Sequence, residues 1–177
     1  MKPKIIHKSR LFTGQVVRID QVDIDFQKSD TSHFELISFN VETGVSALPV
    51  IDGDVLLIYH YQAGLDADGW SLPTGGLHPG EDPSTRMQLE LQEEIGYKAN
   101  QLTLMTRITT IASYVASKPG YVFLAQDLVP SKLPGDEPFP ITTKRLSLNK
   151  AIKMIQSGAI QDSRVILALL YFQQFFT

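Results

Sequence analysis

Residues 75–97, GGLHPGEDPSTRMQLELQEEIGY, constrain the fold of this chain more than any other stretch. The sequence predicts a glycine-rich turn at Gly75 and Gly76 that leads into a helix. Asp82 is placed to cap this helix by accepting from its first N–H groups, and Pro83 suits the first helical position because it has no N–H to satisfy. Gly96 is expected to end the helix.

Three glutamates lie close together on this predicted helix. Glu90 and Glu93 are three residues apart and Glu90 and Glu94 are four apart, so that all three side chains share one face. Like charges at this spacing repel each other, and a helix selected for stability alone would alternate them with lysine or arginine. One interpretation is an ordinary solvated acidic face. The other is a site for a hard divalent cation such as Mg²⁺, which binds carboxylate oxygens.

The whole string of residues and gaps resembles the Nudix box, Gly-x5-Glu-x7-Arg-Glu-U-x-Glu-Glu-x-Gly-U, where U is a bulky apolar residue. Eight of its nine specified positions match in register, namely Gly75, Glu81, Glu90, Leu91, Glu93, Glu94, Gly96 and Tyr97. The ninth holds Leu89, where the family has arginine. So many matches at fixed gaps are far more specific than a lone glycine motif. Residues 10–14, 55–62, 70–76 and 155–170 also resemble the ADP-ribose pyrophosphatase branch of that family.

The resemblance implies an α/β fold, the Nudix α/β/α sandwich with a mixed sheet and an N-terminal antiparallel strand unit. Residues 1–177 are expected to form a single domain. Within it, residues 1–44 would form the strand unit, which relatives use for dimerisation and for gripping the nucleoside, and residues 45–177 the Nudix core. The implied reaction is hydrolysis of the pyrophosphate bond of a nucleoside diphosphate linked to a group X, with ADP-ribose or a nucleotide sugar as the expected substrate.

The resemblance also assigns the residues of the site. Mg²⁺ or Mn²⁺ is the expected cofactor, because breaking a polyanionic pyrophosphate requires cations that neutralise charge and activate water. The expected metal ligands are Glu90, Glu93, Glu94 and the main-chain oxygen of Thr74. The expected catalytic residues are Glu93, Glu90 and Glu81. The expected substrate-binding residues are Gly75, Gly76, Phe12, Gln62 and Trp70. An ordinary turn is the alternative for the two glycines, and core packing for the two aromatic residues.

Several positions depart from the family pattern. The box arginine organises the glutamates by charge-assisted hydrogen bonds, and Leu89 can form none. Arg86 lies one turn earlier and either compensates by reaching Glu90 or is simply a surface residue in an i,i+4 pair. Ser71 and Gln62 stand where relatives carry glutamate and arginine. These departures favour a second hypothesis, a Nudix-fold module that binds a nucleotide and hydrolyses it slowly or not at all.

The general base is not assigned by the resemblance. Close relatives carry a catalytic glutamate in a loop that is shortened here and holds no acid. The nearest downstream carboxylates, Asp136 and Glu137, either take over this role or form a solvated charge pair, and the solvated pair is favoured. His60 faces either a pocket or solvent, and packing is favoured over a role in orienting phosphate.

The remaining pattern predicts a strand-rich chain with two further helices. Alternating or continuous apolar runs bounded by turn residues indicate strands at 10–26 (as one or two strands), 33–41, 45–51, 55–62, 101–115, 120–128 and 141–148. Asp52 and Gly53 predict a tight hairpin turn. Residues 63–69 and 129–140 are expected to be loops. Helical spacing predicts helices at 149–158 and, capped by Asp162, at 163–176.

Composition narrows the class of protein. A chain of 177 residues with 43% hydrophobic residues fits one globular domain with a substantial core. It has no cysteine, which excludes disulfides and thiolate metal sites and fits a cytoplasmic protein. The net charge of −3 without a basic run argues against a nucleic-acid partner, and no apolar run is long enough for a membrane span. The expected partner is a small phosphorylated molecule. The resemblance also implies a homodimer, because relatives dimerise.

Overall fold

The computed structural model describes residues 3–27, 31–109, 114–135 and 137–177. The strands are β1 (Lys4–Thr13), β2 (Val17–Asp25), β3 (Thr31–Phe39), β4 (Thr43–Ile51), β5 (Asp54–Gln62), β6 (Ala67–Ser71), β7 (Thr74–Leu77), β8 (Tyr97–Ile108), β9 (Gly120–Pro130) and β10 (Thr142–Ser147). The helices are α1 (Pro83–Glu90), α2 (Leu148–Gln156) and α3 (Ser163–Phe175), and a π-helical turn (Leu91–Ile95) follows α1 directly.

The first three strands form a sheet of their own. They pair antiparallel in the order β1-β2-β3. Asp20 on β2 is buried, and its carboxylate is neutralised by Arg10 and by Lys8, whose Nζ lies 3.0 Å away. A buried carboxylate requires such partners, so β1 and β2 are locked in register by this pair of charges.

The second sheet is mixed and is organised around β4. One edge of β4 pairs in parallel with β9, while its other edge pairs antiparallel with β7 over residues 43–46 and with β5 over residues 50 and 51. The order across the sheet is β10-β5-β4-β9-β8, with β6 added to β5. β7, which begins at Thr74, is thus part of this sheet, and the chain runs from it into α1.

Helices cover both faces of the second sheet. Met87 and Leu91 pack against one face together with Phe123, whereas Ala168 and Leu169 of α3 pack against the other. Each fully buried large apolar side chain contributes about 1.5–3 kcal/mol to folding. The result is the expected three-layered α/β/α sandwich. No helix among the described residues is long and apolar enough to cross a membrane.

The turn and capping residues were predicted correctly. Asp52 and Gly53 have φ of 51° and 81°, as a two-residue hairpin turn requires. The side chain of Asp82 accepts from Thr85 N, and Asp162 accepts in the same way from Arg164 N. Gly96 has φ of 78° and ends the helical segment.

Three of the predicted local structures were wrong. Residues 67–69 are not a loop, because they form the first part of β6 and pair with β5. Gly75 and Gly76 do not form a turn but lie within β7 and pair with β4. The helical segment does end at Gly96 as predicted, although residues 91–95 widen into a π turn. The predicted strand at 101–115 ends at Ile108, and its residues 110–113 lie outside the described part of the chain.

We expect Gln88→Ala to destabilise the fold. The Gln88 side-chain amide donates to Ala99 O at 2.6 Å and accepts from Ala99 N at 3.0 Å, so it joins α1 to β8. Its loss leaves the backbone groups of the buried Ala99 without these partners, which costs about 1–3 kcal/mol. Urea unfolding measures the change, with the exposed Gln101→Ala as control. Equal stability of the two variants would contradict the prediction.

Candidate active site

An acidic cavity of about 180 Å³ lies at the end of the helical segment. Its lining residues come from the last residue of α1, the π turn and the loop after β9, and they are Glu90, Glu93, Glu94, Lys132, Gly135, Glu137, Phe139 and Ile141. The three glutamates that share a face in the sequence pattern therefore line one cavity. Thr74 adjoins this group through a hydrogen bond from its N–H to Glu94 Oε2 at 3.0 Å.

Glu94 is a half-buried carboxyl group whose surroundings disfavour its charge. Burial is the largest cause that raises the pKa of Glu94 from 4.5 to about 8, while the hydrogen bond from Thr74 N–H acts in the opposite direction. The neighbouring charges of Glu90, Glu137 and Glu93 raise this pKa further. The cavity therefore has an excess of negative charge that a bound cation would relieve.

Glu90 is held between β7 and α1. It is only 4% exposed, and a Cβ atom built on Gly75 would overlap its carboxyl group. Glycine is thus required at position 75 because the carboxyl group of Glu90 occupies the place of a side chain. The guanidinium of Arg86 forms an i,i+4 ion pair with Glu90 Oε1. Arg86 therefore brings a charge to the glutamates from one turn before the position of the missing box arginine.

Leu89 points to a different side of the helix. It is 37% exposed and lines a separate hollow of about 220 Å³ together with Glu81, Asp82, Thr85 and Arg86. The carboxylate of Glu81 accepts from His78 N at 2.6 Å, and this bond closes the loop before α1. Glu81 therefore lies outside the lining of the acidic cavity.

The loop that follows β9 is fastened to the π turn. We call residues 131–141 the strap; its residue Asp136 lies outside the described residues. Ser131 N donates to Gly96 O at 2.8 Å, Leu133 N donates to Gln92 O at 3.2 Å, and the Lys132 ammonium donates to Glu93 O. Carbonyl groups at the end of a helical segment need donors from outside it, and the strap supplies them. This brings Glu137 into the acidic cavity.

A second, apolar cavity of about 370 Å³ is lined by Gly75 and Gly76 of β7. Its remaining lining comes mainly from the first residues of β4 and β9 and includes Phe39, Val41, Thr43, Val45, Ile108, Tyr121 and Arg164. Volumes of roughly 300–1,000 Å³ are usual for small-molecule sites. Gly75 therefore lines the apolar cavity while the carboxyl group of Glu90, which lines the acidic cavity, lies against it.

The other predicted substrate residues lie elsewhere. Gln62 and Trp70 line a third cavity, of about 590 Å³, beside the connection between α2 and α3. The Trp70 ring also packs on Tyr59 with ring centroids 4.9 Å apart, and it contacts the hydrophobic core. Phe12 is exposed on the first sheet and lines none of these cavities.

Comparisons with known proteins identify the family. The NUDIX domain model matches residues 41–167, which is well over half of the chain. The chain belongs to the NUDIX family. It is similar to ADP compounds hydrolase NudE of Escherichia coli (strain K12), with 29% identity covering 95% of this chain and 90% of the relative. It is also similar to the ADP-ribose pyrophosphatase of Bacillus subtilis (strain 168), with 28% identity covering 98% and 94%. A crystal structure of an ADP compounds hydrolase superposes with a TM-score of 0.89 at 26% identity and covers 99% of this chain and 94% of that chain.

Nudix hydrolases generally depend on a divalent metal, and the donor set here fits one. Carboxylate oxygens are the ligands that hard divalent cations prefer. Among the described residues, no group of three or more His, Asp or Glu side chains is already close enough together to hold an ion. The ion pair between Arg86 and Glu90 shows one reason, because it directs the Glu90 carboxylate toward the guanidinium.

Two charged residues outside the box also line the acidic cavity. Glu137 is exposed, as the favoured interpretation of a solvated charge expects, but it also lines the acidic cavity and raises the pKa of Glu94. Lys132 was not singled out, although it is the one cationic side chain among the described lining residues. Both residues are some 40 positions from the box glutamates, so spacing alone could not reveal them. The sequence feature that could have drawn attention to them is the proline-rich loop that directly follows a buried strand.

Glu94→Gln is expected to stabilise the metal-free protein increasingly as pH rises. In the folded protein this carboxyl group keeps its proton up to about pH 8, whereas in the unfolded chain it loses the proton near pH 4.5. Ionisation therefore disfavours the folded state across this window, by up to about 1.4 kcal/mol per pH unit. Urea unfolding with a chelator measures the difference between parent and variant, with the exposed Glu35→Gln as control. Parallel pH profiles for parent and Glu94→Gln would contradict the assigned pKa.

Gly75→Ala is expected to weaken metal binding. The added methyl group would displace the Glu90 carboxyl group from its place against β7. Addition of Mg²⁺ or Mn²⁺ should therefore raise the melting temperature of the variant less than that of the parent. Gly64→Ala is a matched control, because a Cβ at Gly64 meets no atom within 4 Å. An equal metal-induced shift in Gly75→Ala and the parent would show that Glu90 is not a ligand.

Proposed function

We propose that this protein is a divalent-metal-dependent Nudix hydrolase that cleaves a nucleoside diphosphate linked to a group X. The products are a nucleoside monophosphate and phospho-X, and the preferred substrates are ADP-ribose or a nucleotide sugar. The observation that carries the proposal is the acidic cavity, in which the box glutamates and Glu137 surround a half-buried carboxyl group. Similarity to an ADP-ribose pyrophosphatase and an ADP compounds hydrolase over nearly the whole chain supports this substrate class.

Mg²⁺, or Mn²⁺ in its place, is the proposed metal. Glu90, Glu93, Glu94 and the main-chain oxygen of Thr74 would hold it. When bound, it neutralises charge on the pyrophosphate and lowers the pKa of a water molecule. Glu81 acts at a distance, because its bond to His78 N fixes the loop that leads into α1.

Residues of the chain itself bind the substrate and accept the proton of the attacking water. The backbone of Gly75 and Gly76 lines the apolar cavity, which takes the nucleoside or X, so the pyrophosphate would lie beside these two glycines. The Lys132 ammonium faces the phosphate oxygens from the strap. Glu137 accepts a proton from a water molecule while the oxygen of that water bonds to phosphorus. The bridging P–O bond breaks, and its electron pair passes to the departing phosphate group.

A cytoplasmic homodimer is part of this proposal. Apolar side chains are exposed on the first sheet, and they include Ile5, Ile6, Leu11, Phe12 and Phe34. Each apolar Å² removed from water contributes about 25 cal/mol, so burial of this surface against a second copy is favourable. We assign Phe12 to the nucleoside through such a dimer, and we assign Gln62 and Trp70 to the outer part of the substrate.

A binding module without turnover is less well supported. Leu89 was the main argument for it, and Arg86 brings a guanidinium to Glu90 despite that change. Glu137, which lines the acidic cavity, is the carboxylate that we assign in place of the missing loop acid.

Hydrolysis of a substrate panel tests the function. The purified protein is incubated with Mg²⁺ or Mn²⁺ and with ADP-ribose, nucleotide sugars, dinucleoside polyphosphates or nucleoside triphosphates, and release of monophosphate is measured. We expect metal-dependent release from ADP-ribose or a nucleotide sugar. Glu137→Gln should lower kcat by about 100-fold or more, because it removes the proton acceptor. Its metal-induced thermal shift should be retained.

The controls separate the enzyme from the binding module. Glu35→Gln, which changes an exposed carboxylate on β3, should keep the parent rate. Thermal stabilisation by ADP-ribose without any release would support the module and overturn the hydrolase. If Glu137→Gln hydrolyses at the parent rate, the assigned base is wrong although the reaction stands.

A further inference from the structure

Two stacked rings lie where the strap passes strand β5. The ring of His60 is nearly parallel to that of Phe139, with an interplanar angle of 7° and centroids 4.9 Å apart. His60 is half-buried, and its Nδ1 donates to Tyr61 O at 2.9 Å. This hydrogen bond fixes the plane of the imidazole, so the stack has one defined orientation.

The stack of Phe139 on His60 lies in the second half of the strap, whose described residues are not held in place by backbone hydrogen bonds to other elements. The first half is tied to the π turn through Ser131, Lys132 and Leu133. Among the described residues 134, 135 and 137–141, no backbone hydrogen bond joins the strap to another element. The strap then becomes regular again at Thr142, which pairs with Tyr59, the neighbour of His60.

Glu137 lies in this loosely tied half, two residues before Phe139. A loop residue that is held in one conformation loses backbone freedom, and contacts must offset that cost. Packing of Ile141 and the stack of Phe139 on His60 are the contacts that the described residues offer here. A carboxylate that must meet a water molecule within hydrogen-bond reach is sensitive to displacement by even about 1 Å.

We propose that His60 is a positioning residue: by stacking on Phe139 it holds Glu137 at the acidic cavity. His60 itself does not line that cavity. The inference rests on the proposed hydrolase function, because it gives the strap a task in the reaction. The proposed positioning residue, His60, lies on β5 and outside the Nudix box.

Substitutions at His60 test the proposal by kinetics. His60→Ala should lower kcat about 10-fold and leave KM within about 2-fold, because the seat of the substrate is unchanged. His60→Phe, which can still stack, should recover most of the lost rate. In a Glu137→Gln background, His60→Ala should cause no further loss, because the residue it positions is already disabled.

Tyr61→Ala is the matched control. Tyr61 is the next residue of β5 and its side chain points to the opposite face, where its hydroxyl donates to Asp66. This variant should keep the parent kcat. Full activity in His60→Ala would overturn the proposal, as would equal losses in His60→Ala and His60→Phe or additive losses with Glu137→Gln. The proposal would also fall if Glu137→Gln kept the parent rate.

Hydrogen exchange separates failure of this inference from failure of the proposed function. In His60→Ala, peptides that cover residues 134–141 should exchange faster than in the parent, whereas peptides from α1 should not change. This readout requires no turnover. Unchanged exchange in the strap would overturn the role of His60 even if the enzyme is active. Faster exchange in a protein that hydrolyses nothing would instead reject the hydrolase and retain the strap contact.

Discussion

Repulsion among carboxylates at the end of the helix is the constraint on which the rest of this structure depends. Four glutamate side chains line a cavity of about 180 Å³: Glu90 is buried, Glu93 and Glu94 are half-buried, and Glu137 is exposed. A carboxylate charge in such surroundings destabilises the folded protein unless hydrogen-bond donors or cations face it. The protein supplies these from three directions: the N–H of Thr74, the guanidinium of Arg86 and the strap with Lys132. Sheet, helix and loop are therefore connected through the same group of charges.

The close contact between β7 and α1 makes this arrangement possible. Because Gly75 has no side chain, the Glu90 carboxyl group lies directly against the strand, and β7 is held in turn by β4 at the centre of the mixed sheet. Gly75 of this strand lines the apolar cavity and also lies against Glu90, which lines the acidic cavity. The sandwich thus positions a charged reaction centre next to a surface suited to the less polar part of a nucleotide.

Local signals were readable from the sequence, whereas contacts across the chain were not. Helix caps and tight turns depend only on neighbouring residues. The side chain of Asp82, the flexible backbone of Gly96 and the Asp52–Gly53 pair were therefore enough to predict the local structure. The strand at Gly75 and Gly76 was missed because glycine pairs suggest turns, and pairing with β4 overrode that preference. The place of Glu137 depends on bonds between the strap and the π turn, which no local pattern encodes.

The π turn also links helix geometry to loop geometry. A π turn holds about one residue more than an α-helical turn, and this extra residue sets the directions of Glu93 and Glu94 as well as those of the carbonyls that bind the strap. Loss of a single residue between Leu91 and Ile95 would return this turn to α-helical geometry and change the directions in which the side chains of Glu93 and Glu94 point. The family spacing between the last glutamates and the final glycine therefore preserves an angle, and insertions or deletions are expected to be tolerated elsewhere before they are tolerated here.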